Sequence, residues 1–124
     1  MKYPKKSDPR GTFQELHKSG DFSQYWKQIS ICSIEAGYSR GKHFHCRNWE
    51  KYIVIEGKMT VTTKHTKQDN GERVVELSNE DDLLDNEIVI MPLIYHEVHS
   101  LNGCKFLILS SEIFDPDNPD TFKE

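Results

Sequence analysis

A chain with one alanine, Ala36, against 22 residues of Val, Ile and Thr is poorly made for helices. Alanine is the strongest helix former, whereas β-branched side chains lose rotamer freedom in a helix and pack well on a pleated sheet. An all-β fold is therefore expected, and the local patterns agree. From Tyr25 to Ile34 the residues alternate, with Ile29, Ile31 and Ser33 on one face and Gln28, Ser30 and Cys32 on the other. That is the period of a strand. Thr12 to Leu16, Arg73 to Leu77 and Glu87 to Met91 read as further short strands, the last ended by Pro92. Lys51 to Glu56 and Lys58 to Lys64 read as a hairpin bent at Glu56-Gly57. Tyr95 to Leu101 and Lys105 to Ser110 read as a second pair joined at Asn102-Gly103. Residues 17–24, Gly37 to Lys42, Gln68-Asp69-Asn70-Gly71 and the acidic stretch Ser78 to Asp82 read as turns or loops. Roughly eight to ten short strands with regular turn punctuation predict a sandwich or jelly-roll barrel.

At 124 residues the chain is one domain. Residues 1–10 are polar, hold two prolines and read as an arm. Residues 11–114 carry the barrel, and 115–124 form a Pro- and Asp-rich tail without regular structure. Phe114 and Phe122 suggest that the tail is a strap against the sheet of its own or a partner subunit. Lys and Arg number 16 against 20 Asp and Glu, a net charge of −4 that argues against nucleic-acid or anionic-membrane binding. No apolar run approaches ~18 residues, and the N-terminus lacks an apolar signal core, so a cytoplasmic protein is expected. The three cysteines, Cys32, Cys46 and Cys104, form no C-x-x-C and are expected as reduced thiols.

The stretch Gly37 to Gly57 carries the chemistry. His43 and His45 are two apart, so a strand would point both to one face. Glu50 follows a four-residue gap. Two imidazoles and a carboxylate converging in a small barrel suit a divalent metal, and His96, after Pro92, is the candidate for a further ligand. His99, an odd step from His96, is expected to face away. His17 and His65 read as loop residues. Cys46, opposite to His45, reads as a structural thiol rather than a ligand. Phe44 and Trp49 read as core or dimer contacts, and Lys51 as pointing out of the barrel.

The spacing Gly37, five residues, His43-x-His45, four residues, Glu50, six residues, Gly57 resembles the first motif of the cupin superfamily at every position. The second motif is matched by Asn86 in place of glycine, then five residues, Pro92 and His96; its inner glycine is absent and His96 lies one residue nearer to Pro92 than in the motif. From Asp8 to Phe122 the chain is similar to the cupin domain of capsular-polysaccharide nucleotide-sugar epimerases. The similarity lies in RGTFQEL (Arg10 to Leu16), in Gly37 to Gly57, and in SEIFDPDNPDTF (Ser111 to Phe122). Arg40-Gly41-x-His43 resembles dTDP-4-dehydrorhamnose 3,5-epimerases, and the HEV after Tyr95 resembles dTDP-4-keto-6-deoxyhexose ketoisomerases.

This resemblance implies a homodimeric isomerase of surface-polysaccharide synthesis, acting beside the ketone of a nucleotide-linked 4-keto-6-deoxyhexose, at C3 or as a 3,4-ketoisomerase. In the capsular group the cupin follows a reductase domain with no counterpart here, so reduction would fall to a separate protein. A non-catalytic metal- or sugar-binding cupin is the alternative of another class, and a metal-dependent dioxygenase a third. Epimerisation beside a ketone needs a base, an acid on the opposite face and a stabilised oxyanion. His43, His45, Tyr52, Tyr95 and His96 are the catalytic candidates, with Tyr38 also near the motif. Arg40 and Lys42 are candidates for the diphosphate, although Arg40 reads equally well as solvated. Either His43, His45, Glu50 and His96 hold a metal and another residue moves the proton, or the site is metal-free and His43 or His45 is the base. The complete ligand set favours metal, zinc first, with nickel, iron and manganese open.

Overall fold

The computed structural model describes residues 3–18, 25–68 and 71–123. Among these residues there is no helix, and nine strands form in chain order. They are β1 (Lys5–Asp8), β2 (Gly11–Lys18), β3 (Gln28–Ile34), β4 (Ser39–His43) and β5 (Glu50–His65), followed by β6 (Arg73–Ser78), β7 (Glu87–Ile90), β8 (Ile94–His99) and β9 (Cys104–Ser110). All pairings are antiparallel. One sheet runs β1-β2-β3-β9-β5-β7, and the other holds β4-β8-β5-β6. The expected jelly roll is thus the fold.

The two sheets share β5, and this corrects the reading of its middle as a hairpin. Glu50 to Gly57 pairs with β9, and Lys58 to His65 pairs with β8 and β6. The chain passes Glu56-Gly57 as a corner between sheets, with a bulge between Val54 and Glu56. The bulge reverses the parity of the strand. Glu50, Tyr52 and Val54 point inward before it, and Met59 and Val61 after it. Gly57 has φ 82°, and a Cβ there would lie 2.4 Å from the Gly103 carbonyl oxygen. Only glycine fits a corner so tightly laid on the β9 turn.

The second expected hairpin is also corrected. β8 and β9 are neighbours in sequence but pair with opposite halves of β5. Asn102-Gly103 therefore crosses between sheets. The polar arm is in part a strand, because β1 folds back on β2 through the Asp8–Arg10 turn. That turn is fixed by Arg10 Nη2 at 2.6 Å from Asp8 Oδ2, which holds the Asp8 carboxyl down to about 2. His17 and His65 lie on β2 and β5 rather than in loops; His65 Nδ1 accepts the backbone N–H groups of Lys67 and Gln68. Positions 19–24, and the Asp69-Asn70 centre of the expected turn, lie outside the described residues.

The core sits between the sheets. Ile34, Val54, Ile90 and Phe106 come from one wall and Met59, Val61, Leu77 and Val98 from the other, all at most 2% exposed. β3 turns its polar face, Gln28, Ser30 and Cys32, inward, and Ile29 and Ile31 lie on its partly exposed side. A fully apolar core would invert that choice, so this end of the barrel is built as a lined cavity rather than filled. Cys32, Cys46 and Cys104 are all free thiols.

Candidate active site and metal centre

Strand alternation puts Glu50 and Tyr52 on the inner face of β5, and His96 and Val98 on that of β8. His43 ends β4 directly opposite His96 in the ladder. His45 lies just beyond, in the irregular stretch leading to β5. Two backbone features set this geometry. Lys42 and Leu93 are the non-glycine residues with positive φ among those described, at 61° and 67°. Lys42 immediately precedes His43, and the Leu93 N–H donates to the His45 carbonyl at 2.6 Å. Strain of this kind collects at functional sites.

The four expected ligands come together. One ligand atom from each of His43, His45, Glu50 and His96 lies within 4.8 Å of the others. The imidazole centroids are 4.7–5.4 Å apart. Glu50 Oε1 is 3.0 Å from His45 Nε2, 3.3 Å from His96 Nε2, and accepts the Tyr52 hydroxyl at 3.1 Å.

Hydrogen bonds fix the tautomers. His45 Nδ1 donates to the Asp120 carbonyl at 2.7 Å, and His96 Nδ1 donates to the Ile94 carbonyl at 3.0 Å. A carbonyl only accepts, so both rings carry a proton on Nδ1 and aim Nε2 at the cluster. His96 is fully buried, and its Nε2 has no hydrogen-bond partner despite its closeness to Glu50, because it is poorly aimed for one. An orphaned buried imidazole nitrogen facing three further donors fits a divalent metal.

The charges agree. Burial alone would raise the Glu50 carboxyl, but the imidazoles of His45 and His96 hold it well below the carboxylate range. Burial lowers His43 to about 4, with the neighbouring His96 and His45 adding to the effect, so its ring is neutral at pH 7. Burial opposes the charging of His45, but Glu50 outweighs it and raises that ring. Tyr52 is pushed well above its ordinary value by burial and by the Glu50 charge, so it remains a phenol.

His43, His45 and Glu50 of the cluster line a cavity of about 390 Å³, together with Arg40, Gln28, Ser30, Phe106, Phe114 and the tail residues Asn118 and Thr121. Arg40 Nε donates to the Ser33 carbonyl at 3.1 Å, which fixes the guanidinium plane at the cavity wall. Lys6 and Arg10 line the same cavity. Lys42 does not; it is exposed. Tyr95 is not at the site either. It alternates with the inward His96, so its side chain leaves the opposite face of β8. Tyr38 is 44% exposed and outside the cavity lining. His99 faces away as expected, with Nδ1 3.0 Å from the Ser39 hydroxyl. Lys51 lies outside the lining, 3.2 Å from Glu87. Trp49 and Phe44 are outside the buried core, and Phe44 stacks on Phe122.

Asp120 is the residue that sequence reading missed. Its Oδ1 accepts the Cys46 N–H, and its Oδ2 accepts those of Arg47 and Asn48, each at 2.9 Å. The tail is therefore a strap on its own chain, with Phe44 and Phe122 exchanging backbone hydrogen bonds. Asp120 is 75 residues from His45 in a tail of ordinary-looking acidic residues, so no local signal marks it. Burial would raise its carboxyl, but the three N–H donors hold it below its usual value. A lowered folded value means that its stabilising effect is full above the unfolded pKa and fades as pH falls through the folded one. Wild type is thus expected to melt above Asp120→Asn at pH 6, with the gap closing as pH falls below the ordinary Asp value of about 3.9, as thermal unfolding at a series of pH values would show.

A jelly roll with a largely buried His-His-Glu-His centre beside a cavity defines the cupin class of small-molecule sites. The chain belongs to the family of the polysaccharide biosynthesis C-terminal domain, whose model matches residues 6–122. It is 30% identical to the UDP-2-acetamido-2,6-β-L-arabino-hexul-4-ose reductase of Pseudomonas aeruginosa, over 96% of this chain and 30% of that protein. It superposes on the capsular polysaccharide assembling protein CapF of Staphylococcus aureus with a TM-score of 0.84 and 25% identity, covering 98% of this chain and 34% of that one. The chain thus spans about a third of the length of these relatives. The sugar 3,4-ketoisomerase QdtA of Thermoanaerobacterium thermosaccharolyticum, solved with TDP, shares the fold at a TM-score of 0.65 and 20% identity, covering all of this chain and 85% of that one. Among the described residues no helix is long and apolar enough to cross a membrane.

Proposed function

We propose that this chain is a sugar-nucleotide isomerase of surface-polysaccharide synthesis, acting at C3 of a nucleotide-linked 4-keto-6-deoxyhexose. The observation that carries the reading is the largely buried four-ligand centre beside an arginine-walled cavity. The named activities of the relatives, a keto-sugar nucleotide reductase and a capsular polysaccharide protein, support the substrate class. The enzyme works as a soluble cytoplasmic homodimer, with any reduction done by a separate protein or domain.

His43, His45, Glu50 and His96 hold a divalent metal, zinc first. When bound, it supplies a Lewis acid for the ketone oxygen, worth several kcal/mol. The remaining work belongs to the chain's own residues. Arg40 takes the diphosphate through its terminal nitrogens, since its Nε is engaged with Ser33. Tyr52 keeps its proton as a buried phenol and donates it to Glu50 Oε1 at 3.1 Å. With the four ligands committed to metal, Tyr52 would be the acid that returns a proton to C3, and the C3 proton would pass to a base outside the ligand set. In a metal-free centre the neutral His43 is the base.

The test is incubation with a UDP- or dTDP-linked 4-keto-6-deoxy sugar in deuterium oxide, followed by NMR and mass spectrometry. One deuterium at C3 with inversion supports the epimerase. A ketone moved to C3 replaces it with the 3,4-ketoisomerase. Binding without deuterium uptake leaves a non-catalytic cupin and refutes the reading.

A further inference from the structure

We propose that Asp120 is a positioning residue for His45, so that the C-terminal strap, and not the barrel alone, aims one member of the ligand set. The consequence for metal affinity rests on the metal reading above; the positioning of the ring does not.

The stretch that carries His45 lies between β4 and β5 and has no regular structure of its own. Residues 44–48 are bonded one after another by the strap. Phe44 exchanges two backbone hydrogen bonds with Phe122, His45 Nδ1 donates to the Asp120 carbonyl, and Cys46, Arg47 and Asn48 donate their N–H groups to the Asp120 carboxylate. One residue therefore does two things. Its carboxylate gathers three backbone donors and sets the course of the loop, as converging N–H groups do around an anion. Its carbonyl then meets the ring that the loop carries, placing the proton on Nδ1 and leaving Nε2 for the cluster.

Asp120 is 8% exposed although the tail around it is exposed, so it is seated and not merely nearby. The strap is anchored at its other end by the Phe114 N–H on Gln28 Oε1 at 3.0 Å and by the Glu112 N–H on Asn48 Oδ1 at 3.1 Å. Outer partners of this kind typically alter metal affinity by about 10- to 100-fold.

Asp120→Ala leaves the carbonyl in the chain but frees it from the loop. Asp120→Asn retains one acceptor oxygen and is the milder variant. Phe122→Ala loosens the strap by removing the ring stack on Phe44 while leaving the carboxylate contacts, and it controls for a general structural role. Thermal unfolding establishes which variants are folded; should Asp120→Ala fail, Asp120→Asn decides.

Two readouts apply to each folded variant. The first is proton NMR of the metal-free protein. A slowly exchanging, downfield His45 Nδ1–H resonance is expected in wild type and Phe122→Ala, and is assigned by its absence in His45→Ala. It is expected to vanish in Asp120→Ala and to broaden in Asp120→Asn. The second is cobalt(II) titration read by visible absorption. Asp120→Ala is expected to bind about 10- to 100-fold more weakly with an altered spectrum, and Phe122→Ala as wild type. A retained resonance in Asp120→Ala, or a loss equal in Phe122→Ala, overturns the positioning role. Failure of wild type to bind cobalt, with the resonance pattern as expected, sinks the metal reading and leaves the positioning of His45 standing.

Discussion

The His43→Ala/His45→Ala protein is expected to emerge from chelator-free purification with no bound metal, where wild type carries about one ion per chain. Deuterium uptake at the keto-sugar is expected to fall by about 10³-fold or more, since several kcal/mol of oxyanion stabilisation are lost at ~1.4 kcal/mol per decade. The reasoning is geometric. The substitutions leave Glu50 and His96 as two donors, too few to hold a divalent ion against water. They also remove the imidazole that sits 3.0 Å from Glu50 Oε1, so the buried carboxylate keeps only Tyr52 and the poorly aimed His96. Leaving one partner of a buried charge pair alone costs about 3–5 kcal/mol, so the variant is also expected to melt early. Mass spectrometry for metal and circular dichroism for fold are measured on one sample. Equal metal in the two proteins would show that these histidines are not the ligands. Absence of metal from both, with activity intact in wild type, would move the role of base to His43 or His45.

Gly57→Ala is expected to lose about 3–5 kcal/mol, lowering Tm by roughly 10–20 °C. Two costs add. An alanine at φ 82° is strained, and its methyl would sit 2.4 Å from the Gly103 carbonyl oxygen and 3.0 Å from the Cys104 Cα. Both contacts are backbone, in the turn before β9, so no side chain can swing aside. Gly71→Ala is the control, because its φ of 79° is similar but nothing lies within 4 Å. It carries the conformational strain alone, about 1 kcal/mol or a little more. If the two variants melt together, the corner between the sheets is looser than the contacts imply.

Much of the site was legible in the sequence. The glycine, histidine and glutamate spacing marks His43, His45 and Glu50, and His96 joins these three within 4.8 Å despite its shortened approach from Pro92. Arg40 reaches the cavity that its chemistry suits, and Lys42 does not, because the left-handed turn at Lys42 leaves its side chain in solvent. Tyr52 and Tyr95 look equally eligible in the sequence. The strand parity of β5 and β8 separates them, putting one beside Glu50 and the other on the far face.

The sequence alone determined the all-β class, most strand positions and the ligand types. These depend on residue type and on a two-residue period, both local properties of the backbone. The tertiary structure decided which strands meet. Two apparent hairpins, at Gly57 and at Gly103, proved to be crossings between sheets. A glycine after a β-rich run looks the same whether the chain turns back or turns a corner. What chooses is whether the faces on either side can both be buried, and that depends on strands far away. The bulge that reverses the parity of β5 is of this kind, since one added residue matters only against the partners it opposes. So is Asp120, whose three backbone partners exist only after the barrel has closed and the strap has crossed it. An acidic side chain carries no mark of the N–H groups it will find, because those belong to a loop whose shape the contact itself creates.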